Sequence, residues 1–143
     1  MNRCFFIGHR DAREEVFPAL CEAVEHLVLA HDVKEFMVGH YGTFDRLAAR
    51  AVLSVSSRHP TIRLYLLTPY HPAERPIALP VGFHGTVYPP AMESVPRRYA
   101  IVRANRYAID CCDYLIAHVR YSPSNTADLV AYARKKHGNV TVV

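Results

Sequence analysis

The stretch Phe36-Met37-Val38-Gly39-His40-Tyr41-Gly42-Thr43-Phe44-Asp45 decides how the chain folds. Phe36 to Val38 is an apolar run that reads as a buried strand, and it stops at Gly39. From Thr43 there is no Pro or Gly until Pro60, and Leu47, Ala48, Ala51, Val52 and Val55 recur at helical spacing. A strand and a helix therefore meet through a short turn carrying two glycines. Such a junction sets backbone N–H groups and the positive end of a helix where an anion can sit. The Thr43 hydroxyl is expected to cap the helix by accepting from a first-turn N–H. The alternative is a tight strand-to-helix turn with no ligand.

The same unit recurs on both sides of this stretch. Residues 3–7 read as a first strand that stops at Gly8-His9-Arg10. A helix follows from Asp11 to about His31. Pro18 inside it requires the helix proper to start near Phe17, leaving 11–16 as a loop or a separate turn. Residues 34–38 are the second strand, 43–58 the second helix and 61–67 the third strand. The chain then changes character, because seven of its ten prolines fall between Pro69 and Pro96. That excludes a long helix. Thr86-Val87-Tyr88 reads as a short strand in a segment that is otherwise a lid, a binding loop or an extended connector. Arg97 to Cys111 is helical again, and Asp113 to Val119 is a buried strand. Ser122 to Thr126 is a turn capping a last helix that runs to His137 and ends at Gly138. Residues 139–143 form the final strand. This alternation predicts an α/β fold, a Rossmann-like three-layer sandwich with a mostly parallel sheet, over 1–143 as one domain.

Composition narrows the classes of function. Half of the 143 residues are hydrophobic and 21% are charged, as in ordinary soluble globular proteins. No apolar run reaches the ~20 residues of a membrane span, so no membrane partner is expected. The N-terminus carries no signal-peptide pattern, and the expected location is cytoplasmic. Cys4, Cys21, Cys111 and Cys112 show neither C-x-x-C spacing nor a disulfide framework, and read as reduced thiols. Nine histidines make no H-x-x-H or H-x-x-x-H pair, and no metal ligand is assigned. The net charge of +4 favours anionic partners but is too diffuse to argue for nucleic acid by itself.

In parallel α/β sheets, ligands bind at the carboxyl ends of the strands where the strand order reverses. Three strand ends carrying unusual residues should meet at that edge: Gly8-His9-Arg10, Gly39 to Asp45, and Ser122 to Thr126. Arg10 offers a charge, the turns offer N–H donors, and Arg106 on the later helix offers a second clamp. His9 and His40 follow strand-end glycines; each can carry a proton near neutral pH or simply fill the turn. Asp45 either favours the helix dipole or bonds a ribose hydroxyl. The three ends together point to a phosphate-bearing ligand.

Phe6-Ile7-Gly8-His9-Arg10 resembles the F-x-G-H-R opening of the YpsA-like branch of the SLOG superfamily, Rossmann-like domains related to the DprA and LOG-type proteins. The resemblance runs nearly end to end. Gly39-x-x-Gly42-Thr43-x-Asp45 falls at the family's second glycine loop, and Leu67-Thr68-Pro69-Tyr70 is similar to its third strand end. Asn105-Arg106-Tyr107-x-x-Asp110 resembles its R-N-x-x-M-V-D stretch with the Arg-Asn order changed. Ser124-Asn125-Thr126, followed by Tyr132-Ala133, resembles its G-G-T…Y-A helix opening.

The resemblance implies a nucleotide or nucleotide-derived ligand, such as an ADP-ribose derivative, held by Gly8, Arg10, Gly39, Gly42, Thr43, Arg106 and Thr126. His9, Asp45, Ser124 and Asn125 complete the expected set. Two departures matter. Ser124 and Asn125 replace two glycines, and Ser tolerates a left-handed backbone poorly. LOG-type enzymes cleave an N-glycosidic bond with a glutamate, and Leu129 occupies that position here. The expected function is therefore a nucleotide-binding sensor or adaptor with no catalytic residue assigned. The alternatives are a LOG-like nucleoside-phosphate hydrolase or transferase, and a DNA-linked interaction module. A nucleic-acid partner and a homo-oligomer both stay open.

Overall fold

The computed structural model describes residues 2–143. Six strands form one sheet: β1 (Arg3–Gly8), β2 (Glu35–Val38), β3 (Arg63–Leu67), β4 (Gly85–Val87), β5 (Tyr114–His118) and β6 (Val140–Val142). Their spatial order is β4-β3-β2-β1-β5-β6, and all five pairings are parallel. The order runs outward from β1 in one direction and then restarts at β5 on its other side. The switch point predicted from sequence thus lies between β1 and β5.

Four helices cover the sheet: α1 (Phe17–His31), α2 (Thr43–Ser56), α3 (Ala100–Cys111) and α4 (Asn125–Lys136). The α/β sandwich expected from the alternation is the architecture found. Period-two alternation along the strands divides the core between the two faces. Phe6, Phe36, Leu64 and Ile116 face α1 and α2, where Val24, Leu27, Leu47 and Val52 meet them. Phe5, Met37 and Leu115 face α3 and α4. Each large side chain so buried contributes roughly 1.5–3 kcal/mol.

The two helical layers are built differently. α2 presents Phe44, Leu47, Val52 and Val55 to the sheet, whereas α3 presents Ala100, Ala104 and Ala108, one turn apart, with Ile109. Ala133 of α4 is also fully buried. A seam of methyl groups lets α3 lie close against β1 and α4.

Pro18 sits in the first turn of α1, where its missing N–H costs nothing, and residues 14–16 form a separate 3-10 turn. Residues 97–99 likewise form their own 3-10 turn, so α3 begins three residues later than the periodicity suggests. The proline-rich segment is irregular except for β4, which adds to β3 in register Tyr65–Gly85, Leu66–Thr86 and Leu67–Val87. Among the described residues, no helix is long and apolar enough to cross a membrane. All four cysteines are free, and burial pushes the Cys112 thiol up to about 12.

Candidate functional site

At the carboxyl edge, a cleft of about 420 Å³ opens over the β1/β5 switch point. Each of the three strand ends contributes to it. Gly8, His9 and Arg10 come from the exit of β1, Gly39, Tyr41 and Asp45 from the exit of β2, and Ser124, Asn125 and Thr126 from the start of α4. Apolar side chains close the floor and far wall, among them Ile7, Leu67, Ile101 and Leu129. A cleft with apolar walls and a few convergent polar groups is the usual form of a small-molecule site.

The turn from β2 into α2 differs from expectation in how its amides are used. Gly42, with φ +129° and ψ 178°, precedes the first helical residue, so Thr43 is not the cap. The Thr43 N–H donates to the Arg10 carbonyl at 2.9 Å, and its hydroxyl accepts from Arg46 at 3.2 Å. The Tyr41 N–H donates to the Asp45 carboxylate at 3.0 Å. Two N–H groups of the turn are therefore engaged inside the protein rather than free for an anion. Gly42 and Thr43 stand behind Arg10 instead of lining the cleft.

Gly42 is where the two loops touch. A Cβ there would come within 2.6 Å of the Arg10 Cα, and the positive φ strains any L side chain as well. This contact fixes the backbone that carries the Arg10 side chain. A similar close approach holds β1 to α2, because a Cβ on Gly8 would lie 2.3 Å from the Phe44 ring.

The start of α4 is a different kind of turn from the two-glycine pattern. Ser124 is extended, at φ −164° and ψ 159°, and its hydroxyl accepts from the Ala127 N–H at 3.0 Å. Ser124 thus acts as the N-cap, with Asn125 and Thr126 in the first turn, and no left-handed residue is needed. The concern raised by the Ser and Asn replacements does not arise.

Asp45 is the only carboxylate among the described residues lining the cleft. Burial pushes its carboxyl up from 3.8 to about 6, while the Tyr41 N–H and the Arg10 charge pull it down. His9 is buried, at 4% exposed, and its ring stacks on Tyr121 with centroids 3.9 Å apart. Burial lowers its pKa from 6.5. His40 is placed outside the cleft lining, against Tyr41.

Arg106 lies elsewhere. It rests over the Tyr132 ring at 5.2 Å and lines a separate groove on the outer face of α3. The reason is helical geometry. Ile101 and Asn105 are four residues apart and share the cleft face, whereas Arg106 is rotated ~100° away. Asn105 and Arg98 take the place expected of Arg106. The Ile101/Asn105 spacing could have identified Asn105 from sequence. Arg98 had no such signal, since it belongs to the turn before α3. Tyr121, past the end of β5, had none either.

No family model matches the sequence, and no curated protein matches it. The fold is similar to that of DNA processing protein A (DprA) from Streptococcus pneumoniae. The TM-score is 0.71 at 12% identity, covering 99% of this chain and 50% of that one. It is similar also to DprA from Helicobacter pylori, with TM-score 0.61 at 16% identity, covering 99% of this chain and 64% of that one. The Helicobacter structure is described by its single-stranded DNA binding mode. The chain spans about half the length of the first protein and under two thirds of the second. At these identities the likeness is one of fold.

Proposed function

We propose that this chain is a nucleotide-binding member of the SLOG superfamily, and that the cleft over the switch point holds a phosphate-bearing nucleotide or nucleotide derivative. The observation that carries the reading is the convergence of three strand exits on one cleft. Arg10 and Arg98 supply positive charge there, and the first turn of α4 supplies N–H groups. Apolar walls at Ile7, Leu67 and Ile101 suit a base or sugar face. Neither Arg10 nor Arg98 has an ion-pair partner among the described residues, and Arg98 rests over the exposed Tyr99 ring at 4.9 Å.

The protein binds its ligand without turning it over. Leu129 is buried in the cleft wall where a LOG-like enzyme would hold a glutamate. Asp45 is the one carboxylate present, and glycosidic cleavage needs a placed acid or base worth ~10²–10⁴-fold. The test is thermal unfolding with AMP, ADP, ADP-ribose and adenosine, followed by chromatography for free base. A ligand at a hundred times its Kd adds ~2.7 kcal/mol. A shift with phosphate compounds and no base release supports binding. No shift with any of them refutes the reading, and base release lost in Asp45→Asn makes the protein a hydrolase.

A second reading is a single-stranded DNA interaction module. Its support is the fold shared with the Helicobacter protein and the net charge of +4. Binding of an oligothymidylate that weakens steeply with salt would favour it.

A further inference from the structure

We infer that His9 is a positioning residue: its imidazole latches the exit loop of β1 to the exit loop of β5 and thereby sets the start of α4 against the cleft. The inference rests on the cleft being the binding site, but the latch itself is visible without a ligand.

The geometry is specific about the proton. The Arg120 backbone N–H donates to His9 Nε2 at 2.9 Å. An N–H can donate only to a lone pair, so Nε2 is unprotonated and the ring hydrogen of the neutral imidazole is on Nδ1. Next along the chain, the Tyr121 ring lies flat on the imidazole, with an interplanar angle of 11°, and its hydroxyl reaches the Asp11 carboxylate at 3.4 Å. Residues 9 and 11 on one loop thus grip residues 120 and 121 on the other.

The grip is passed on to α4. The Ser124 hydroxyl donates to the Tyr121 carbonyl at 3.1 Å while accepting from the Ala127 N–H. A displaced Tyr121 therefore displaces the cap, and with it Asn125 and Thr126. The latch joins the two exits just beyond the last paired residues of the strands, Gly8 and His118.

The groups facing the imidazole fix its response to acid. Asp11 favours its charged form, while burial, His118 and Arg120 disfavour it, burial most strongly. The His118 ring is edge-on at 6.4 Å, and its Nδ1 donates to the Val143 carbonyl at 2.8 Å. Protonation of His9 places an N–H at Nε2 directly opposite the Arg120 N–H, and the latch opens. Asp45 titrates in the same cleft with the opposite consequence, since its protonation removes a negative charge facing an anion.

The test uses the full chain, with His9→Phe and His9→Gln. Phe keeps an aromatic face for Tyr121 and removes the acceptor. Gln restores an acceptor near the Nε2 position without titrating. Amide hydrogen exchange at Arg120 reads the latch, and affinity for ADP reads its effect. His9→Phe is expected to lose about tenfold in both protection and affinity, the worth of one buried hydrogen bond. His9→Gln is expected to restore both. In the unsubstituted protein, Arg120 protection should fall as the pH is taken below the ordinary imidazole range, and in His9→Gln it should not. Unchanged Arg120 exchange in His9→Phe overturns the proposal, as does failure of His9→Gln to restore protection. If the unsubstituted protein binds none of AMP, ADP, ADP-ribose and adenosine, the binding reading fails while Arg120 exchange still decides the latch.

Discussion

The Tyr41 N–H and the Asp45 carboxylate, 3.0 Å apart, close the turn that joins β2 to α2. This single bond holds a partly buried acid at the mouth of the cleft. It is too little to offset the loss of water, so the carboxyl is pushed up to about 6.

The raised pKa gives a stability prediction with a definite sign. A carboxyl whose folded pKa lies above its unfolded value stabilises most below the unfolded value and loses that contribution as pH rises through the folded one. The shift from 3.8 to about 6 corresponds to roughly 3 kcal/mol, lost across about pH 4 to 6. Asp45→Asn keeps an acceptor for Tyr41 and removes the titration. Urea denaturation as a function of pH should show this slope in the parent and not in the variant, which should be the more stable at pH 7.5.

Arg10→Ala should weaken AMP far more than adenosine. A charge-assisted contact is worth ~1.5–3 kcal/mol, or roughly 10- to 100-fold in affinity. Calorimetric titration of both ligands provides the comparison. An equal loss for the two would show that Arg10 does not contact phosphate.

Arg106→Ala should leave nucleotide affinity within about twofold, because Arg106 rests on Tyr132 outside the cleft. Arg98→Ala should cost several times more. Reversal of that ranking in the same titration would place the ligand on the outer face of α3.

Gly42→Ala should destabilise by on the order of 1–3 kcal/mol, combining a disfavoured dihedral with a Cβ pressed on the Arg10 Cα. Gly85→Ala is the matched comparison, since its Cβ would meet only the Tyr65 ring at 3.5 Å, an ordinary contact. Denaturation midpoints of the two variants would be well separated. Coincident midpoints would remove Gly42 from the architecture of the site.

Most of the architecture was legible because the chain alternates short apolar runs with helical periodicity and punctuates them with Gly and Pro. Phe36 to Asp45 shows both the success and its boundary. Strand, turn and helix were placed correctly, yet the cap went to Thr43 instead of Gly42. A propensity for capping says nothing about a carbonyl arriving from Arg10, far earlier in the chain. Arg106 and Asn105 stand on the same predicted helix, and the four-residue spacing from Ile101 was the signal that separates Asn105, facing the cleft, from Arg106, on the outer face. His9 was recognisable as a strand-end histidine, but its partner Arg120 lies across the sheet and leaves no mark in local sequence.

The methyl seam of α3 has a bearing on how such a cleft could diversify. Ala100, Ala104 and Ala108 set how near the helix lies to the sheet, and Ile101 and Asn105 on the same helix form one wall of the opening. The gap is therefore gauged in part by Ala100 and Ala108, which do not line it, flanking Ala104, which does. Exchanging Ala100 or Ala108 for a bulkier residue would act as a shim, moving an entire wall outward while every lining residue kept its identity. Ligand size and ligand chemistry are in this way controlled by different positions, and each is free to vary while the other is held.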